Sequence, residues 1–178
     1  DGRRISFISG LISDEGNTGG DLFVVPAEGG AGKNLTPKRK ATVTAARWRS
    51  DSRALVVDEL VDGRSAVSSI PAEGGAGEVL FEAEALFRGF NLSADGETVA
   101  FLHDSFDAAQ SIWSGSPRAP ARIEATHQPF VKPWGEVKSL HAPSDAYSIQ
   151  SWLVAPARVE PGRKLAREEE LVDDRREP

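Results

Sequence analysis

A seven-residue segment of this chain occurs twice, and the distance between the copies constrains the fold more than any other feature. PAEGGAG stands at Pro26–Gly32 and again at Pro71–Gly77, an offset of 45 residues. An Asp-led turn followed by an apolar stretch precedes each copy, at residues 1–9 and 51–59, and a third version begins 44 residues after the second, at Asp95. Segments that recur at a period of about 45 residues indicate a fold assembled from repeated units.

Within one period the pattern is that of short strands separated by tight turns. Alternating or apolar stretches predict strands over 41–49, 54–57, 65–70 and 78–81. The Asp-led and glycine-rich segments between them supply the positive φ angles of hairpin turns. Four short strands in a period of roughly 40–45 residues are typical of a β-propeller blade. We therefore predict an all-β fold, a partial β-propeller of about three four-stranded blades.

The repeat divides the propeller region, residues 1–125, into three blades at 1–36, 41–81 and 86–124, of which the first lacks its first strand. A closed propeller contains roughly 4–8 blades, so three cannot close a ring and further blades are expected before Asp1. An open stack exposes strand edges and apolar faces that a neighbouring blade would cover. We expect marginal stability, or self-association through these open blade edges.

Composition excludes several classes of function. The chain has 21 basic and 27 acidic residues, a net charge of -6, which is the wrong sign for a general nucleic-acid binder. It contains no cysteine for disulfides or thiolate metal sites, and no apolar run approaches the ~18–20 residues that span a bilayer. No signal peptide is recognisable, and methionine is absent, so we expect a piece of a longer protein. The composition is typical of a bacterial protein, with cytoplasm and periplasm both open as compartments.

Several segments resemble known propeller proteins. Residues 48–52 (WRSDS) and 92–96 (LSADG) are similar to the turn of TolB-like repeats, and 21–37 resembles the end of such a blade. Residues 136–164 resemble the junction of the prolyl oligopeptidase family of serine peptidases, where the propeller ends and the first hydrolase strands form a hairpin. Ser144–Ala146 would be its turn, although the family has glycine where Ala146 stands, and Ile149–Val154 its second strand. The junction fits the acylaminoacyl-peptidase and dipeptidyl-peptidase branch best.

The resemblance implies that residues 126–157 are a linker and β-hairpin leading to an α/β-hydrolase domain that is missing from this chain. The family's nucleophile elbow and oxyanion loop would lie in that domain. The segment 158–178 is instead a charged tail, helical or disordered, with 13 charged residues among 21. A central hydrolase strand would be apolar, so we interpret the last fourteen residues as the product of a truncation or a frameshift.

The expected function is therefore that of a non-catalytic propeller fragment of a serine peptidase. In this family the propeller gates the access of peptides to the hydrolase active site, so the expected partners are a peptide substrate, bound through the parent enzyme, the missing blades and the hydrolase domain. The alternative is a TolB-like protein-interaction module without enzyme activity, and a non-functional gene remnant also stays open. We expect the chain alone to be inactive.

No residue of the chain is assigned to a catalytic, cofactor or metal site. Residues 29–34 (GGAGKN) lack the first glycine and the final hydroxyl residue of a phosphate loop, and 14–21 lacks the spacing of a calcium loop. Neither Ser65 nor Ser116 lies in G-x-S-x-G. The remaining candidates are three histidines without metal-ligand spacing and a run of tail glutamates, in order His103, His127, His141 and Glu168–Glu170.

Overall fold

The structure is a computed structural model that describes residues 2–10, 20–125 and 130–158. The described residues contain thirteen strands and no helix. In chain order the strands are β1 (Arg4–Ser9), β2 (Asp21–Pro26), β3 (Lys33–Asn34), β4 (Thr42–Trp48), β5 (Ala54–Val61), β6 (Arg64–Pro71), β7 (Glu78–Ala83), β8 (Leu86–Leu92), β9 (Val99–Asp104), β10 (Ser111–Ser116), β11 (Ala119–Ala125), β12 (Trp134–Ser144) and β13 (Tyr147–Pro156).

The strands form four antiparallel sheets within the described ranges. Sheet 1 has the order β1-β2-β3, sheet 2 the order β4-β5-β6-β7, and sheet 3 the order β11-β10-β9-β8, while β12 and β13 pair with each other. Each of the first three sheets is a meander in which strands that are consecutive along the chain are hydrogen-bonded. The predicted all-β class is confirmed, and sheet 1 has three strands where sheets 2 and 3 have four.

The chain divides into two compact units, Asp1–Pro129 and Phe130–Pro178. In the first unit, sheets 1 to 3 stack face to face in chain order. One buried cluster joins sheets 1 and 2, with Leu22 and Val24 packed against Leu55 and Val57. A second joins sheets 2 and 3 and includes Val56. Because successive side chains of β5 point to opposite faces, residues 55 to 57 are fully buried on both sides.

The two PAEGGAG copies fold alike, because the same backbone hydrogen bonds recur at structurally equivalent positions of both turns. The amide of Ala27 donates to the carbonyl of Arg3 and that of Ala72 to the carbonyl of Arg53, both at 2.8 Å. Glycines occupy the left-handed region at the same two positions of each turn, 29 and 30 in the first and 74 and 75 in the second. The glycine pair is therefore required by the backbone of the turn.

Two turns are shorter than the sequence predicted. The strand predicted over 54–57 extends to Val61, because Asp62 and Gly63, both with positive φ, are enough to reverse the chain. In the second unit, β13 runs over Tyr147–Pro156 and is longer than the predicted 149–154. Its turn places Asp145, not Ala146, at a φ of 51°. Aspartate tolerates this region better than most residues, which explains how the hairpin forms without the family's turn glycine.

Repeat-equivalent positions on sheets 1 and 2 provide a matched test of the stacking. Leu55→Ala should lower the free energy of unfolding by about 3–4 kcal/mol, because it removes a fully buried side chain between two sheets. The equivalent Ile5 on β1 is 53% exposed, so Ile5→Ala should lower it by less than about 1 kcal/mol. Urea denaturation measures both values. Equal losses at the two positions would contradict the stacked arrangement.

Candidate functional site

A buried ion pair joins the connection after β3 to the middle of sheet 2. Arg39 donates from Nε to Oε2 of Glu59 at 2.7 Å and from Nη2 to Oε1 at 2.5 Å. The hydroxyl of Ser68 donates to the same Oε1. The Glu59 side chain is fully buried and that of Arg39 is 23% exposed. The hydrogen bonds to Glu59 raise the pKa of Arg39, and both carboxylate oxygens accept hydrogen bonds, so the pair fixes the connection between β3 and β4 to β5 of sheet 2.

Removing the carboxylate should be costly because it leaves the guanidinium without its partner at a buried position. We expect Glu59→Ala to lower the free energy of unfolding by about 2–3 kcal/mol. Glu82 is the matched control, since its ion pair with Arg64 is solvent-exposed and 3.7 Å long. Glu82→Ala should change the free energy by less than about 0.5 kcal/mol. Chemical denaturation of the two variants decides the point, and similar small losses would show that the buried pair contributes nothing.

Asp58 is the least satisfied buried group in the described part of the chain. It is 3% exposed and lies next to Glu59 on β5, on the opposite face, towards sheet 3. Its Oδ2 accepts a hydrogen bond of 2.7 Å from the Thr44 hydroxyl, whereas its Oδ1 has no hydrogen-bond partner. Burial raises the pKa of Asp58 to about 6, an effect that the Thr44 hydrogen bond opposes and the negative charge of Glu59 reinforces.

The raised pKa of Asp58 predicts a pH-dependent stability. In the unfolded chain the carboxyl loses its proton near its ordinary pKa of 3.8, whereas in the folded chain it keeps the proton until about pH 6. The folded state therefore binds more protons between these values, and its stability should fall as the pH rises from 4 to 6, by about 2–3 kcal/mol.

The variant Asp58→Asn should remove this fall, and it should stabilise the protein above pH 6, because the amide carries no charge. Thermal denaturation between pH 4 and 8 measures the effect. The control is Asp145→Asn, at the exposed hairpin turn, which should keep the wild-type pH profile. A profile that Asp58→Asn leaves unchanged would disprove this role for the carboxyl.

The histidines considered from the sequence lie in different environments. His103, on β9, stacks on Trp113 with ring centroids 4.6 Å apart and lies beside Phe87 at 5.9 Å. Partial burial lowers its pKa. It is thus part of the aromatic packing of sheet 3. His141 belongs to β12 in the second unit, and His127 lies outside the described residues.

The serines and the glycine-rich segment have structural partners. The Ser65 hydroxyl accepts a hydrogen bond of 3.0 Å from the amide of Phe87 and so joins sheets 2 and 3. Lys33, the cation of GGAGKN, donates to the carbonyl oxygen of Glu73 at 2.6 Å. Ser65 is also fully buried, and the Ser116 hydroxyl accepts a hydrogen bond of 3.4 Å from the amide of Arg118. The loop 14–21 falls mainly outside the described residues, as does Glu168–Glu170.

A pocket of about 480 Å³ lies between the end of sheet 1 and the second PAEGGAG turn. It is lined by cationic side chains and by a glycine-rich backbone. The lining includes Lys33, Lys38, Arg39, Glu73 and Gly74–Gly77. Two of the three cations already bind Glu73 and Glu59. Over the described ranges no group of three acidic or histidine side chains is placed to hold a metal, and no helix could cross a bilayer.

Comparisons with known proteins match the chain through its structure and not through its sequence. No protein-family model matches it, and a search of curated proteins found no match. Among solved structures, the isopeptidase AtxE2 with a bound ligand aligns at a TM-score of 0.64 and 16% identity, over 92% of this chain and 26% of that chain. A prolyl endopeptidase aligns at a TM-score of 0.59 and 14% identity, over 79% and 22%.

A third likeness is to a TolB protein. TolB from Acinetobacter baumannii aligns at a TM-score of 0.55 and 15% identity, over 88% of this chain and 39% of that chain. This chain spans about a quarter of the isopeptidase chain and less than half of TolB. These likenesses define the fold as that of stacked β-propeller sheets, in agreement with the sequence prediction.

The two acids that the structure singles out, Asp58 and Glu59, were not among the candidate residues predicted from the sequence. The only signal was their position inside the apolar stretch of residues 54–61, where a pair of adjacent acids is unusual because buried carboxylates need partners. Arg39, the partner of Glu59, stands 20 residues away in a connection.

Proposed function

We propose that this chain is the propeller part, with the hairpin that leads into the catalytic domain, of a prolyl oligopeptidase-family serine peptidase. Its role is to gate the access of peptides to a hydrolase active site that lies outside this chain. The observation that carries the proposal is the β12–β13 hairpin, which follows the three stacked sheets in the sequence. The resemblance of residues 136–164 favours the acylaminoacyl-peptidase and dipeptidyl-peptidase branch.

The hairpin has apolar side chains on both of its faces. The register pairs Val137 with Val154 on one face and Ala142 with Ile149 on the other. Ile149 and Val154 are 48% and 43% exposed. A two-stranded hairpin is marginally stable alone in water, and apolar residues on both faces require cover on both sides. A hydrolase domain that continues from the hairpin would provide that cover.

The propeller sheets contribute packing and no recognisable chemistry to this function. Glu59 binds Arg39 and Ser68, and Asp58 binds Thr44 through one of its two carboxylate oxygens. The full sequence contains no G-x-S-x-G motif, so the nucleophile of such a peptidase would have to come from elsewhere. This is why gating, and not catalysis, is the proposed role of the chain.

A TolB-like interaction module is the second candidate, and the alignment with TolB over 88% of the chain is the observation that favours it. The alignment with the isopeptidase has the higher TM-score, 0.64 against 0.55. The hairpin also has a purpose in a peptidase, whereas a scaffold built from sheets has no need of it. The peptidase assignment therefore takes precedence.

The purified chain should neither hydrolyse a fluorogenic dipeptide or tetrapeptide substrate nor be labelled by a serine-directed fluorophosphonate, because it has no nucleophile elbow. A serine peptidase of known activity, assayed in parallel, is the positive control. Labelling of the chain, lost on mutation of a single serine, would contradict the non-catalytic assignment.

The family assignment has a separate test in the gene. We expect the coding sequence beyond Pro178, read in all three frames, to contain a G-x-S-x-G segment followed by an aspartate and a histidine in triad order. The product of the restored reading frame should cleave short peptides and leave folded proteins intact. Coding sequence without such a segment in any frame would favour the TolB-like module.

A further inference from the structure

The outer strand of sheet 1 ends much earlier than the outer strand of sheet 2. Both strands follow a PAEGGAG turn, but β3 covers only Lys33–Asn34, whereas β7 covers Glu78–Ala83. The connection to the next sheet is correspondingly long after β3, residues 35–41, and short after β7, residues 84–85. The pocket of about 480 Å³ lies where β3 ends, and residues 33–39 line it together with the end of the second PAEGGAG turn.

The segment that lines the pocket also differs from the repeat in its charge. Counted from the two PAEGGAG copies, Lys33 and Arg39 stand where sheet 2 has Glu78 and Glu84. Between them, Lys38 has no charged counterpart in sheet 2. The pocket therefore has a cationic lining, although the net charge of the whole chain is -6. Such a local excess of positive charge attracts anions.

Two positive charges of this lining are not neutralised by a carboxylate of the described residues. The only acid among the residues that line the pocket, Glu73, forms its ion pair with Arg4. Lys33 donates to the backbone carbonyl of Glu73, which carries no net charge. Lys38 is exposed and has no ion-pair partner within the described ranges. The two ammonium groups are therefore available to a doubly charged anion.

Arg39 adds a donor that is already held in position. Its Nε and Nη2 bind Glu59, and its side chain is only 23% exposed. Its Nη1 donates no hydrogen bond to any described residue, and a Cβ atom at Gly77 would lie 3.1 Å from it. Glycine at position 77 therefore leaves this donor uncrowded. Because the ion pair fixes the guanidinium, a ligand of Nη1 would immobilise little that is not already ordered.

The backbone at Lys38 has a conformation that suits glycine better than lysine. Its φ is 63°, in the left-handed region. The amide of Arg39 donates to the carbonyl of Thr36 at 3.2 Å and closes the turn that contains Lys38. The turn itself therefore gives no reason for a lysine. Residues held in such conformations cluster at binding sites, and a ligand in the pocket would explain the choice.

We propose that this pocket binds a small organic phosphate monoester. A phosphate monoester has a charge of about −2 at pH 7, which matches the ammonium groups of Lys33 and Lys38. The free Nη1 of Arg39 supplies a further charged donor. Leu35 and Ile70, from the cluster between sheets 1 and 2, also line the pocket. A volume of about 480 Å³ with an apolar part is typical of sites for organic ligands.

This site differs from the phosphate loop that the sequence analysis considered at residues 29–34. Its glycines belong to the second PAEGGAG copy, and Lys33 reaches them from the neighbouring sheet. The inference depends on the pocket and its charges, and it is independent of the peptidase assignment.

Phenyl phosphate is a suitable probe, because it joins the dianion to an apolar ring. Calorimetric titration of the 178-residue chain should give one site with a Kd below about 1 mM. Phenyl sulfate, which has a similar shape and a single charge, should bind at least about 5-fold more weakly. Inorganic phosphate, which lacks the ring, should also bind more weakly. Below pH 6, where the phosphate ester takes up a proton, the affinity for phenyl phosphate should fall and that for phenyl sulfate should not.

Lys38→Gln should weaken the binding of phenyl phosphate about 5–10-fold, and Lys38→Arg should retain most of the affinity. Lys40→Gln is the matched control, since it removes the same charge from an exposed lysine outside the pocket. It should change the Kd less than about 2-fold. All three variants should melt within about 2 °C of the unaltered chain, because both lysines are exposed.

The repeat provides an internal control for the location of the probe. Gly29 and Gly30 have the same sequence context and left-handed conformation as Gly74 and Gly75, but they do not line the pocket. In the ¹⁵N-labelled chain, phenyl phosphate should shift the amide signals of Gly74 and Gly75 and leave those of Gly29 and Gly30 in place. The proposal is overturned if phenyl phosphate does not bind at about 10 mM, or if both pairs of glycines shift alike. It is also overturned if phenyl sulfate binds as tightly, or if Lys40→Gln weakens binding as much as Lys38→Gln.

Discussion

The described structure of the first unit depends on a strand with no solvent face. Leu55, Val56 and Val57 of β5 are consecutive, and alternate side chains pack into different hydrophobic clusters. Sheet 2 can therefore be stable only when sheets on both sides cover it, which makes folding of the three sheets interdependent. Some ion pairs of this unit add contacts at the junctions between sheets, as Arg4 does with Glu73 and Arg118 with Glu78, whereas others, such as Arg64 with Glu82, lie within one sheet. Each sheet fixes the position of the next.

Most of the fold could be predicted because short sequence motifs mark the turns of each repeat. The PAEGGAG turns and the Asp-led turns specify where strands end, and the spacing between them specifies how many strands a unit contains. The errors were confined to turn length. Residues 60 and 61 continue β5 because two residues, Asp62 and Gly63, are enough to reverse the chain when both adopt positive φ.

The polar interior could not be predicted in the same way, because it depends on contacts between distant parts of the sequence. Nothing near Arg39 indicates that its guanidinium will reach Glu59, and the partner hydroxyl of Ser68 lies on another strand. The raised pKa of Asp58 could not be predicted either, because its main cause is burial, which depends on how the sheets pack. Ser65 and Lys33, which the sequence offered as candidates for a nucleophile and a phosphate loop, instead form hydrogen bonds between neighbouring sheets.

Apolar residues are distributed differently in the two units, and this difference bears on the proposed function. Most buried apolar residues of sheet 2 belong to clusters that it shares with sheet 1 or sheet 3, so packing between the sheets explains why they are apolar. The hairpin of β12 and β13 has apolar residues on both of its faces. Leu140 and Ile149 lie on one face, and Trp152 and Val154 lie on the other. Neither a repeat nor a turn requirement accounts for apolar residues on both faces of two strands. They support the proposal that the hairpin contacts protein other than the three sheets, and this is why the hairpin, and not the sheets, carries the proposed function.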